Sequence, residues 1–276
     1  MNANVAAPGP VGGTERVPVV WRNRTVHIEY QWIAPERSTA PLVVFLHEGL
    51  GSVAMWKDFP RQLCDAGGFR GLVFSRPAYG RSTPRRADEV WGVDFMHQQA
   101  HEVVPAFLDA LGAQEAAWLF GHSDGASIAL LLAARWPQRV QGLVVMAPHI
   151  FVEDVTVQNI ERARDAYEQT DLRHKLRRYH DDVDSAFWGW NRIWLNPAFR
   201  EWNIELEVAQ IGAPVLAIQG CDDEYGTLAQ IRGIAQRVPG TRLLELPYCA
   251  HSPHRDQPDA VVAAAVAFIQ AHHSPA

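Results

Sequence analysis

Apolar positions along this chain change period after the first thirty-odd residues. Val17–Arg22 and Thr25–Ile33 alternate apolar and polar, joined by Asn23-Arg24, which predicts an opening β-hairpin. From Leu42 onward the apolar runs stop alternating. Leu42–His47, Gly71–Ser75, Ala116–Phe120, Leu143–Ala147, Val215–Gln219 and Arg242–Leu246 are short and continuous, as expected of strands covered on both faces of a parallel sheet. Helix-like segments lie between most of them, including Phe95–Leu111 and Ala126–Trp136, and Pro258–Ala271 follows the last strand. Strand and helix in alternation predict an α/β fold with a doubly wound sheet and right-handed crossovers.

One stretch breaks the rhythm. Residues 151–210 contain no convincing strand; they are charged and helix-like first, then aromatic in Phe187-Trp188-Gly189-Trp190-Asn191-Arg192-Ile193-Trp194, and again at Phe199 and Trp202. A structureless loop of that length is improbable inside a compact domain, so a helical insertion after the sixth strand is expected. The core is then 15–150 with 211–276, and 1–14 is a tail of small residues, Pro and Gly.

Within that frame one motif stands out. Gly121-His122-Ser123-Asp124-Gly125 follows a strand-like run and opens a helix-like one. A serine at a sharp strand-to-helix turn has its hydroxyl lifted clear of the sheet, and glycines two positions either side allow close backbone approach. Acyl transfer also needs a base, an acid that orients the base, and oxyanion donors. Ligand sites of open α/β sheets form beyond the carboxyl ends of the strands. There the chain offers Gly220-Cys221-Asp222-Asp223-Glu224 and Pro247-Tyr248-Cys249-Ala250-His251. Serine, acid and histidine occur in the order of an α/β-hydrolase.

On these residues the chain resembles the α/β-hydrolase superfamily over nearly its whole length. Further matching pieces are His47-Glu48-Gly49-Leu50-Gly51-Ser52, Arg76-Pro77-Ala78-Tyr79-Gly80-Arg81-Ser82 and His251-Ser252-Pro253-His254. The resemblance implies a mostly parallel eight-stranded sheet flanked by helices, with residues 151–210 as a helical cap over the active site. It implies Ser123 as nucleophile, Asp223 as acid, His251 as base, and an oxyanion hole from the backbone N–H groups of Asp124 and Gly49. Glu48 departs from the family's usual His-Gly. We expect it to pair with an arginine such as Arg76, and the first oxyanion donor stays open between Gly49 and Leu50.

The alternatives are adjacent in sequence. Asp222 competes with Asp223 and is read as a turn or capping residue, with Glu224 as first-turn helix charge. His254 competes with His251 and is read as an anchor into the final helix. His47 and His122 are read as structural histidines beside tight turns. Leu50, Trp188 and Trp194 are the expected substrate-lining residues, since aromatic surfaces line pockets for apolar ligands.

Bulk numbers narrow the class. A net charge of −6 argues against nucleic acid as a partner. Three cysteines (Cys64, Cys221, Cys249) make no disulfide framework, and with no signal-peptide pattern they suggest a cytoplasmic protein. The apolar stretch 260–269 is too short to span a bilayer, so no membrane is expected. Scattered His97, His101 and His149 give no metal-ligand spacing, and neither metal nor cofactor is called for. The cationic run Leu172–Arg178 reads as a solvated helix face, less often as an anion attractor.

The reading is a serine hydrolase, monomer or homodimer, that cleaves a carboxylic ester or thioester of an apolar, aromatic-friendly acyl group. A carbon–carbon bond hydrolase of the meta-cleavage-product type shares the same residues. A ligand-binding receptor on this scaffold is the rival of a different class.

Overall fold

The computed structural model describes residues 13–273. The expected tail 1–14 lies almost wholly outside them. Eight strands form one sheet: β1 (Glu15–Trp21), β2 (Arg24–Ile33), β3 (Leu42–Leu46), β4 (Arg70–Phe74), β5 (Ala117–His122), β6 (Val140–Met146), β7 (Val215–Gly220) and β8 (Arg242–Leu246), in the order β1-β2-β4-β3-β5-β6-β7-β8. β2 runs antiparallel to β1 and β4, and every pairing from β4 to β8 is parallel. The change of apolar period at Leu42 marks where that parallel part begins. The hairpin turns through Arg22 and Asn23, both at positive φ, a combination that suits a two-residue turn between twisted strands.

Helices cover both faces: α1 (Phe59–Gly67), α2 (Phe95–Gln98), a π-helical turn (Gln99–Val103), α3 (Val104–Ala110), α4 (Asp124–Arg135), α5 (Asp154–Gln169), α6 (Leu172–Leu176), α7 (Val183–Trp194), α8 (Glu205–Val208), α9 (Ala229–Arg237), α10 (Pro253–Asp256) and α11 (Pro258–His272). β3, β5 and β7 are buried at every residue. Their side chains divide between two apolar layers, one under α4 and the segment between β6 and β7, the other under α1 and α11. A fully buried aliphatic or aromatic side chain contributes about 1.5–3 kcal/mol, so these layers dominate the stability of the sheet.

Residues 151–210 hold α5 to α8 and one isolated bridge, Phe151 to Asn203. α7 carries the aromatic run and buries Phe187, Trp190, Ile193 and Trp194 on one side, at helical spacing. Asp182 caps it, its side chain accepting from Ser185 N–H at 2.8 Å. The helix presents the Trp190 and Trp194 indoles to the cavity that Ser123 also lines.

Candidate active site

β5 ends at His122, and the chain turns at once into α4. Ser123 sits in that turn at φ +53°, ψ −122°, a conformation that a side chain rarely adopts and that the surrounding packing must hold. The flanking glycines show what holds it. A Cβ on Gly125 would lie 2.1 Å from the Leu46 carbonyl oxygen, and one on Gly121 2.5 Å from the Ala126 backbone. No larger residue fits there without moving the backbone of β3 or α4.

Two more strand ends meet Ser123. His251 Nε2 lies 3.0 Å from Ser123 Oγ, and His251 Nδ1 lies 2.8 Å from Asp223 Oδ1. A carboxylate against Nδ1 keeps the proton there, which leaves Nε2 free to accept from the serine. Asp223 is well held: Oδ1 accepts from the N–H groups of Tyr225 (2.8 Å) and Gly226 (3.2 Å), and Oδ2 from Gln219 at 3.1 Å. Burial alone would raise its pKa, but the imidazole and the N–H donors outweigh that and lower it from the ordinary carboxylate value. Burial likewise disfavours charge on His251, yet the Asp223 carboxylate prevails and raises its pKa. Asp222 is exposed and His254 is packed against Trp56 and Phe59, so neither takes part. Glu224 is not in a helix; its carboxylate accepts from the His251 N–H at 3.2 Å.

The loop after β3 supplies the opposing wall. The Glu48 carbonyl oxygen accepts from His47 Nδ1 (2.7 Å), Arg76 Nη2 (2.9 Å) and Gly51 N–H (3.0 Å). In a trans peptide the N–H of the next residue points the opposite way. The Gly49 N–H is thus turned away from the buried Arg76, and Gly49 itself lines the cavity. His47 Nε2 accepts from the Arg76 N–H at 3.0 Å, consistent with a proton on Nδ1. Burial and the Arg76 charge hold the His47 pKa well below its ordinary value. The Asp124 N–H heads α4, where no intrahelical acceptor exists for it. Gly49 and Asp124 thus stand at two different strand ends, after β3 and after β5, and both line the cavity with Ser123.

Glu48 pairs with an arginine as expected, though with a different one. Its carboxylate pairs with Arg255 at 3.1 Å and lies 3.6 Å from His122 Nδ1, not against Arg76. Arg76 is fully buried and uses its guanidinium on the loop carbonyls instead, with Asp124 Oδ2 4.0 Å away.

A cavity of about 210 Å³ opens above Ser123, lined by Leu50, Met55, Ile160, Trp190, Trp194 and Tyr225 among others. Leu50 and Trp194 are where the sequence placed them. Trp188 is not: its indole faces away, beneath the Arg192 guanidinium at 5.3 Å, and borders a separate surface hollow. Trp190 takes its place, with its indole where a Gly49 Cβ would be, 2.1 Å away. Helical spacing explains the exchange: Trp190 and Trp194 are four residues apart and share a face, whereas Trp188 lies off it. His149 also borders the cavity, although its spacing along the chain pointed to no ligand-like partner. Two cations of the run are paired locally, Arg173 with Asp184 and Lys175 with Asp171. All three cysteines are free thiols. Among the described residues no cluster of His, Cys, Asp or Glu could hold a metal ion, and no helix is long and apolar enough to cross a membrane.

Residues 41–182, just over half of the chain, match the family described as alpha/beta hydrolase fold. The chain belongs to that family. It is 29% identical over 138 residues to a zearalenone hydrolase of Cladophialophora bantiana, a match over 49% of this chain that spans about half (48%) of that relative's length. It is 24% identical over 245 residues to a 2-hydroxy-6-oxo-6-phenylhexa-2,4-dienoate hydrolase of Burkholderia cepacia, covering 79% of this chain and 84% of that protein. Among solved structures, a thermophilic esterase from Thermogutta terrifontis superposes with a TM-score of 0.72 at 17% identity, over 95% of this chain and 100% of the other. That last likeness is one of fold. The family and the hydrolase relatives make this chain a hydrolase.

Proposed function

We propose that this hydrolase cleaves a carboxylic ester or thioester through an acyl-enzyme on Ser123, with residues 151–210 acting as its cap. The observation that carries the reading is the continuous chain from Ser123 Oγ to His251 (3.0 Å) to Asp223 (2.8 Å), with the serine held at positive φ. His251 takes the serine proton as Oγ attacks the acyl carbon. The tetrahedral oxyanion is received by the N–H groups of Gly49 and Asp124, each worth on the order of 3 kcal/mol. His251 then gives the proton to the leaving alcohol or thiol, and deprotonates a water that releases the acid. Asp223 holds the ring and stabilises the imidazolium. The indoles of Trp190 and Trp194 offer the acyl group an apolar, aromatic surface.

Initial rates on p-nitrophenyl esters of increasing acyl length, with Ser123→Ala alongside, test this. Saturable turnover that the substitution abolishes supports it, and the length optimum sizes the cavity. Turnover that survives in Ser123→Ala identifies a different nucleophile. The dienoate-hydrolase relative, aligned over 79% of this chain, favours a second reading in which the same residues cleave a carbon–carbon bond beside a ketone. Release of a dienoic acid from a vinylogous 1,5-diketone, with the esters left intact, would replace the ester reading by that one.

A further inference from the structure

Ser123 and His251 stand on strands that are not neighbours. Ser123 follows β5 and His251 follows β8, with β6 and β7 between them in the sheet. The 3.0 Å from Nε2 to Oγ therefore depends on the spacing of four strands, and small shifts along that route would add up at the reacting atoms. The loop that carries His251 is anchored from several sides. Gln257 Nε2 donates to the Pro247 carbonyl oxygen (2.7 Å), the Asp222 N–H to that of Cys249 (3.0 Å), the Ala250 N–H to Asp256 Oδ2 (2.9 Å) and the His251 N–H to Glu224 Oε2 (3.2 Å). All of these partners lie after β7 or β8.

One anchor comes from elsewhere. His122 Nε2 lies 2.8 Å from the His251 carbonyl oxygen, and His122 is the last residue of β5, next to the nucleophile. A carbonyl oxygen only accepts, so Nε2 carries the proton. The ring is 1% exposed and packs edge-on against His254, with centroids 4.8 Å apart. On its other side Glu48 Oε2 is 3.6 Å from Nδ1, and Glu48 is itself held by Arg255 at 3.1 Å. Turning the ring over would put a carbon against the carbonyl and another against the carboxylate, so the packing favours one orientation.

We propose that His122 is a positioning residue: its hydrogen bond ties the backbone of His251 directly to the nucleophile turn and sets the reach of the His251 imidazole over Ser123. This rests on the acyl-transfer reading above. Asp223 orients the ring through Nδ1, and His122 fixes the backbone from which that ring hangs, so the base is held at both ends. The route through His122 is also short. It runs from residue 123 to its chain neighbour and across one hydrogen bond to residue 251, bypassing β6 and β7. Glu48, where the family usually has glycine, backs the ring that holds the base.

His122→Leu removes the donor and keeps an apolar volume, whereas His122→Gln keeps an N–H at similar reach. Two esters of one acid read the difference. Ethyl phenylacetate needs His251 first as base and then as acid for its poor leaving group, while p-nitrophenolate leaves p-nitrophenyl phenylacetate without a proton. Both deliver the same acyl group, so kcat/KM compares acylation alone. In His122→Leu it is expected to fall about 100-fold for the ethyl ester, as a misplacement of about 1 Å would cause, and about tenfold for the nitrophenyl ester. His122→Gln should restore most of both. An equal fall on the two esters overturns the proposal, because a general loss of active protein lowers both alike. So does His122→Gln failing as badly as His122→Leu, or His122→Leu keeping wild-type rates. Should His122→Leu not fold, His122→Asn, whose amide is too short to reach the carbonyl, takes its place in the comparison. Failure of the ester reading would look different: the wild type hydrolyses neither ester, while His122→Leu still slows the labelling of Ser123 by a fluorophosphonate.

Discussion

Arg76 donates a hydrogen bond of 2.9 Å to the Glu48 carbonyl oxygen, and across that trans peptide the Gly49 N–H points the opposite way. On the proposed acyl-transfer reading, Arg76 touches no substrate and positions an oxyanion donor whose full effect appears in the transition state. Replacing it with Met is expected to lower kcat by roughly 10–100-fold with KM changed little, since loss of one oxyanion donor costs about 100–1,000-fold. Steady-state kinetics on a p-nitrophenyl ester, with circular dichroism to show a folded protein, checks this. A rise in KM at constant kcat would mean that Arg76 serves binding instead.

Gly49 is required for space. Its Cβ would collide with the Trp190 indole, so Gly49→Ala is expected to cut kcat/KM by at least tenfold while leaving the thermal midpoint within a few degrees. The double variant with Trp190→Ala should recover part of the loss. Failure of the second substitution to help would show that the defect lies in the loop and not in the indole.

His251 must be neutral at Nε2 to take the serine proton. Its pKa is raised above the ordinary histidine value because the Asp223 carboxylate, with smaller help from Glu224 and Glu48, outweighs burial. The sign follows: kcat/KM is full above that pKa and falls as pH drops through it, on a limb centred above about 6.5. Glu48→Gln removes one of the raising charges, so its acid limb should move to lower pH. A limb that stays put would show that Glu48 is fully engaged by Arg255 and His122.

The two indoles of α7 make a matched pair. Trp190→Ala opens the cavity and is expected to raise KM for aromatic acyl esters several-fold, as loss of a large aromatic contact would. Trp188→Ala should leave kcat and KM within about twofold, because that ring sits under Arg192 on a different face. Parallel kinetics on phenylacetyl and acetyl esters separates the two.

Local pattern and spacing carried the fold a long way. The continuous apolar runs at Leu42, Ala116 and Val215 read as strands covered on both faces, and they are. Ser123, Asp223 and His251 were legible because each stands at the end of such a run, where chain order and strand polarity leave few choices. Asp223 was distinguishable from Asp222 only by spacing; the structure adds four donors that converge on it.

What the sequence by itself determined is therefore the set of residues whose position depends on the period of their own element. What only the tertiary structure decided is which side chains from different elements meet. Glu48 found Arg255, 207 residues away, rather than Arg76, because the guanidinium of Arg76 was already drawn inward by the loop carbonyls. Trp190 displaced Trp188 because the rotation of α7 about its axis is fixed by packing on the sheet, which no period within the helix can reveal. Asp124 and His149 became neighbours through Trp194, which links the nucleophile turn to the segment after β6. Contacts of that kind depend on how distant surfaces close on one another, and the pattern along a single chain does not contain that information.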